Sequence, residues 1–270
     1  MSDTFVKVPQ QEGLNHLPPH ACKLLDFQKL ILTDGKTYEA NTGDREFVLV
    51  LLGGKCTVEA GGKKFEKIGG RPNVFAGLPY SVYIPCNTAF KVTAAGRVEI
   101  AMPSAPSDLA GEPFLISPDQ VSTGVWGGAN FTRNFREILV GTDKAVRRII
   151  VGETITPSGN WSTYPPHKHE VDNLPSEVWM EEMYYFKNSA PEGWGMLRHY
   201  AADGRYDNVY VVKNETLAAM PDGYHTYAGA PGYNSYYLWF LAGNVRTQAP
   251  MNDPEVGWVQ KSLPIIYNMK

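Results

Sequence analysis

Cysteine is scarce. Cys22, Cys56 and Cys86 are the only three among 270 residues, widely spaced and odd in number. That argues against a disulfide framework and fits reduced, partly buried thiols in a cytoplasm. Charge of one sign is lacking too: 25 Lys and Arg against 28 Asp and Glu leave a net −3. No basic stripe is available to neutralise phosphates, so a nucleic-acid or membrane-surface role finds no support. The longest apolar run, Tyr236 to Ala242, falls far short of the ~20 residues that span a bilayer. Met1-Ser2-Asp3-Thr4 shows no basic-then-apolar leader pattern, so a cytoplasmic location is expected. Helical periodicity is nearly absent.

What is there favours strands. Gly and Pro number 26 and 20, and aromatics make up 12%, a mixture of turn formers and β-favouring residues. Hydrophobic residues at 43% suffice for a core, and the length predicts about two domains. Strands are expected at residues 46–52, 55–60, 63–68, 73–76, 81–84, 89–94 and 98–102, each ended by Gly, Pro or Asn. Residues 103–107, Pro-Ser-Ala-Pro-Ser, read as a linker or turn, and 130–140 as either a strand or a short helix. The second half repeats the scheme at 146–156, 182–186, 194–201, 208–212, 216–220 and 235–242. Short strands at this spacing predict an all-β sandwich or barrel. The halves also echo each other. Glu46-Phe47-Val48-Leu49-Val50 reads as the counterpart of Glu182-Met183-Tyr184-Tyr185-Phe186, and Pro85 to Phe90 as that of Pro221 to His225. A duplicated β-barrel follows.

Histidines separate the halves. His16 and His20 lie in a Pro-rich N-terminal segment and read as surface or packing residues. In the second half, His167-Lys168-His169 places two imidazoles on one face of a strand, close enough to share a metal ion. Glu182 leads an apolar, aromatic strand, where an unpaired buried carboxylate is costly and a cation supplies the reason for it. His225 follows the turn Pro221-Asp222-Gly223 and heads the next strand. His199, beside Arg198, faces the other side of its strand and reads as structural.

This pattern resembles the cupin superfamily, with its G-x5-H-x-H-x(3,4)-E-x6-G and P-x-G-x2-H motifs. The match is partial. Gly159 precedes His167 by eight residues, and twelve residues separate His169 from Glu182; such loops lengthen cheaply. The second motif is one residue short. The resemblance implies two cupin (jelly-roll) barrels: residues 1–125 without metal ligands, with Phe90 near the last His position, and residues 126–270 with His167, His169, Glu182 and His225. The strings Gly159 to Glu170, Glu181-Glu182-Met183-Tyr184-Tyr185, Pro221 to His225 and Tyr236-Tyr237-Leu238, with Asn130, Arg133, Arg136 and Arg246, further resemble the 5-deoxy-glucuronate isomerase family of myo-inositol breakdown.

That family resemblance implies an aldose–ketose isomerisation, 5-deoxy-D-glucuronate to 5-dehydro-2-deoxy-D-gluconate. It calls for a divalent ion (Zn, Mn, Fe, Co or Ni), which polarises a carbonyl and holds developing charge. For the base, Glu181 is one candidate, though strand alternation turns it from the metal face; metal-bound hydroxide is another. Tyr184, on the same face as Glu182, is placed to shuttle a hydroxyl proton. A hydride shift needs no such base. Lys168, Arg198 and Arg246 are the candidates for the substrate's carboxylate, while Arg133 and Arg136 are expected to brace the domain junction. Two rival readings stay open: a bicupin metal oxygenase, which consumes oxygen, and a non-catalytic sugar-binding bicupin, which turns nothing over. A homo-oligomer is compatible with the aromatic surfaces and edge strands.

Overall fold

The computed structural model describes residues 4–268. The first half contributes β1 (Phe5–Lys7), β2 (Gly13–His16), β3 (Asp26–Leu32), β4 (Thr37–Asn41) and β5 (Arg45–Gly53). There follow β6 (Lys55–Ala60), β7 (Lys63–Gly69), β8 (Ser81–Ile84), β9 (Ala89–Ala94) and β10 (Val98–Pro106). A connecting stretch holds β11 (Phe114–Ile116), β12 (Ser122–Trp126) and β13 (Arg133–Leu139). The second half has β14 (Ile149–Thr156), β15 (Trp161–Lys168), β16 (Met180–Asn188), β17 (Trp194–Tyr200) and β18 (Asp207–Lys213). It closes with β19 (Thr216–Met220), β20 (Tyr224–Gly229), β21 (Ser235–Gly243) and β22 (Met251–Asn252). The one described α-helix, α1 (Leu263–Asn268), is too short to cross a membrane.

These strands make two barrels of two facing sheets each. In the first, β11-β8-β5-β10-β3-β2 faces β4-β9-β6-β7; in the second, β1-β19-β16-β21-β14-β13-β12 faces β18-β17-β20-β15-β22. The pairing repeats strand for strand. β10 lies between β3 and β5 as β21 lies between β14 and β16, and β9 between β4 and β6 as β20 between β15 and β17. The first half lends a strand to the second, and the connecting stretch adds one to the first. β1 pairs with β19 on the edge of the second barrel's large sheet, and β11 pairs with β8 on the edge of the first. The division expected at residue 125 falls inside β12, which belongs to the second barrel's sheet.

β5 shows why these strands read as unbroken apolar runs. Phe47, Leu49 and Leu51 point into the first barrel with Val58 and Val92. Val48, Val50 and Leu52 point the other way, into a core shared with Met183, Tyr185 and Phe240 of the second. Both faces are buried, so alternation is lost, and each such side chain contributes about 1.5–3 kcal/mol.

Two expectations are corrected and one open reading is decided. Residues 103–107 are not a linker: β10 runs through 103–106 in the middle of a sheet. The ladder to β5 skips Met102 and Pro103, so the proline falls where it has no partner N–H to supply. Residues 73–76 form a turn, because the Asn73 side chain accepts the Phe75 N–H at 2.9 Å. Residues 130–140 resolve into a 3₁₀ turn, Ala129–Phe131, followed by β13.

Candidate metal centre

Three strands of the second barrel, with His169 one residue beyond the end of β15, bring four candidate ligands together. On β15 the register to β20 places Ser162 opposite Tyr227 and His167 opposite His225. Residues 163–166 bulge out between them, and this re-aims the His-x-His pair inward. The turn before β20 needs Gly223, whose φ is +80° and whose Cβ would meet the Tyr206 hydroxyl at 2.2 Å. β16 supplies Glu182. The ligand atoms of His167, His169, Glu182 and His225 all lie within 4.8 Å of one another, and the last three side chains are buried. Nε2 of both His169 and His225 approaches one oxygen, Oε2 of Glu182, at 3.0 and 2.9 Å.

The donor set suits a cation. His169 Nδ1 lies 2.5 Å from the Met180 carbonyl and donates to it, which leaves the Nε2 lone pair of a neutral ring facing a carboxylate oxygen. Two acceptors at 3.0 Å repel unless a proton or a metal ion lies between them. Three imidazoles and one carboxylate are also the donors that a divalent transition metal takes, with positions left for substrate oxygens. Burial lowers the His167 pKa well below its usual value, and His225 adds to this, so His167 is neutral and ligand-ready. Burial opposes ionisation of Glu182, but its bonds to His169 and His225 outweigh that and hold it far below the usual carboxylate range. Burial likewise lowers His169, and its bond to Glu182 overrides this and raises it.

The centre opens into a cavity of about 440 Å³. Tyr184 lines it, two residues beyond Glu182 on β16, with its hydroxyl 3.1 Å from His225 Nε2. Burial, reinforced by Glu182, keeps that phenol protonated well above 10. Two wall residues on β13 were not expected here, Arg133 and Glu137. Arg133 donates to the Tyr237 hydroxyl at 3.5 Å and lies over the Trp126 ring at 5.7 Å. Period-two spacing puts 133 and 137 on one face, but this signal is useless until 130–140 is known to be a strand.

Other expected site residues lie elsewhere. Glu181 faces the interface between barrels, where its carboxylate accepts the N–H groups of Lys23, Leu24 and Leu25 at 2.7–3.0 Å. It is not beside the centre, and strand alternation is the reason. Lys168 points away from its two histidine neighbours and holds the 170–179 loop through Glu177 at 2.9 Å and Glu170 at 3.1 Å. Arg198 is exposed and forks onto Asp207. Arg246 is spent on the carbonyls of Ile149, Gly141 and Leu139. Arg136 does brace the junction, bonding the Val74 and Gly77 carbonyls and Glu153. Its neighbour Arg133 instead faces the cavity. His199 bonds the Asp222 carbonyl at 2.6 Å and is structural.

Fold and centre together define a two-barrel cupin with, among the described residues, one candidate metal site, in its second barrel. The Lactobacillus farciminis oxalate decarboxylase has the same fold (TM-score 0.68, 10% identity, 93% of this chain and 89% of that one). An IolB-like protein from Salmonella typhimurium is far nearer, with a TM-score of 0.90 and 29% identity over 96% of this chain and 100% of that one. The 5-deoxy-glucuronate isomerase of Geobacillus kaustophilus is 41% identical over 258 residues, 94% of this chain and 93% of its own. That of Bacillus subtilis strain 168 is 36% identical over 236 residues, 87% of each. The KduI/IolB family profile matches residues 5–259, and the chain belongs to the KduI/IolB family.

Proposed function

We infer that this protein isomerises 5-deoxy-D-glucuronate to 5-dehydro-2-deoxy-D-gluconate, an intramolecular oxidation and reduction at C1 and C2 of a sugar acid. The observation that carries the reading is the intact ligand set at the floor of a cavity, in a chain akin over nearly its whole length to enzymes of that name.

His167, His169, Glu182 and His225 would hold a divalent ion, which supplies polarisation of the substrate carbonyl and a counter-charge for an enediolate. The chain's own groups do the rest. Tyr184, protonated and beside His225, is the group we assign to move the hydroxyl proton between O2 and O1. Glu181 is engaged across the barrel interface, so no dedicated carboxylate base stands next to Glu182. Glu137 is the only other carboxylate lining the cavity among the described residues. The apolar wall of Phe135, Val178, Trp239 and Leu241 keeps bulk water from the reacting carbons. Trp239 can lie flat there because Gly152 has no Cβ, which would meet its ring at 2.1 Å.

The test is a chelator-dialysed enzyme, reloaded with each candidate metal and given 5-deoxy-glucuronate in deuterated water. Metal-dependent ketose formation, lost in His167→Ala and His225→Ala, is expected. Deuterium at C1 means transfer through an enediol, and its absence means a hydride shift or a shielded base. Metal bound at one site per chain without turnover overturns the substrate assignment, and oxygen uptake would then move the protein to the oxygenases.

A further inference from the structure

We propose that Arg133 is the residue that recognises the substrate's carboxylate, and so sets the preference for a sugar acid over a neutral sugar. The inference rests on the isomerase reading for the identity of the acid, but not for the presence of an anion subsite.

Arg133 is the only Lys or Arg lining the cavity among the described residues. It has no carboxylate partner there, in contrast to Lys168 and Arg198, whose charges are matched, and Arg246, whose donors are used up on carbonyls. A half-buried guanidinium facing a cavity with one long hydrogen bond keeps most of its five donors free. It is nevertheless held in place, by the Tyr237 hydroxyl on one side and the Trp126 ring beneath it. A fixed fork binds a carboxylate through two parallel bonds with little further ordering to do.

Position agrees with this. β13 and β16 are separated by β14 and β21 in one sheet, so their backbones are about 14 Å apart. The arginine side chain reaches back across part of that span. Contacts trace the remainder: Arg133 to the Tyr237 hydroxyl at 3.5 Å, Tyr237 to Tyr184 ring to ring at 4.6 Å, and Tyr184 to His225 at 3.1 Å. A six-carbon acid with O1 and O2 at the metal-ligand cluster carries its carboxylate along this line towards β13. Among the side chains lining the cavity, Glu137 and Glu182 offer a carboxylate no partner of opposite sign, and Arg133 does.

The experiment compares kcat/KM for 5-deoxy-glucuronate with that for 5-deoxy-glucose, in which an alcohol replaces the carboxylate. The parent is expected to prefer the acid. Arg133→Gln lowers kcat/KM for the acid on the order of 100-fold, chiefly through KM, and leaves the neutral sugar unchanged. Arg133→Lys recovers part of the loss, since it restores charge but not the fork, and it carries the test if Arg133→Gln does not fold. Calorimetry with D-gluconate, a sugar acid with no aldehyde to isomerise, separates this from the reaction assignment. Gluconate bound by the parent and not by Arg133→Gln supports the subsite even if neither sugar turns over. Equal losses on acid and neutral sugar overturn the proposal. So does gluconate bound equally by parent and variant, or a parent that neither binds gluconate nor turns over either sugar.

Discussion

In the first barrel Phe47 on β5 and Phe90 on β9 face each other inside, their rings 6.4 Å apart. In the second, the equivalent strands β16 and β20 put Glu182 and His225 in those places, 2.9 Å apart. Register extends the match: Ala40 lies opposite Phe90 as His167 lies opposite His225. One strand plan thus carries an apolar plug in one copy and a polar centre in the other. The hydrogen-bonded frame is indifferent to what fills it, because barrel closure satisfies the backbone in both. On the proposed function, filling then decides the role: the first barrel contributes stability, the second chemistry.

The largest expected effect follows from that contrast. His225→Ala should reduce turnover on the order of 10³-fold or more, since carbonyl polarisation is worth several kcal/mol, and metal per chain measured by mass spectrometry should fall with it. The equivalent change in the first barrel, Phe90→Ala, should leave kcat unaltered and cost about 3–5 kcal/mol in a urea melt. If Phe90→Ala also removed activity in the folded protein, the division of roles would be wrong.

A second contrast concerns two carboxylates that the barrels exchange. Glu181 accepts three N–H groups at the start of β3, and Glu46 accepts those of Arg147, Arg148 and Ile149 at the start of β14. Glu181→Ala and Glu46→Ala should each destabilise by about 3 kcal/mol, because buried N–H groups lose their partner, while kcat changes little in either. A selective loss of kcat in Glu181→Ala would restore it as a base.

Smaller effects come from charge. Lys29 on β3 meets Glu215 of the second half at 2.9 Å, whereas Glu153 on β14 meets Arg71 of the first at 2.8 Å: equivalent strands, opposite signs. Beside the former pair, burial opposes ionisation of Glu99, but Lys187 and Lys29 bring its pKa down to about 2. A depressed carboxylate contributes stability that is complete above its unfolded value near 4.5 and lost as pH falls towards 2. Glu99→Gln should therefore flatten the decline of the urea midpoint between about pH 4.5 and 2, a window set by those two values. The smallest effect belongs to Arg198→Ala. Its exposed pair with Asp207 predicts a change within about 0.5 kcal/mol and an unchanged KM.

The sequence made the strands and the four clustered candidate ligands legible because their signals are local: turn residues every few positions, a His-x-His, a Pro-Asp-Gly turn before a histidine. Pairing between halves is not local, and there the reading slipped. The strand pattern pairs Glu46 with Glu182, but the partners it keeps make it the counterpart of Glu181, one residue earlier. In a strand that single step exchanges the barrel interior for the barrel interface. The same blindness hid Arg133, whose face is undefined until β13 is known to be a strand. It also left residues 103–107 as a linker, since two prolines outweigh alternation unless a gap in the ladder is known to receive one of them. The charged partners of Lys168 and Arg198 lie in the 170–177 loop and on a neighbouring strand, where no short motif announces them.

The crossing of β1 to the second barrel has a consequence in time. β1 ends at Lys7 and its pairing partner among the described residues, β19, begins at Thr216. At 5–20 residues per second, the ribosome takes about 10–40 s to make the intervening chain. Throughout synthesis of the first barrel, therefore, β1 has no sheet to join, and the edge of the second barrel is closed by the described strand that was made first.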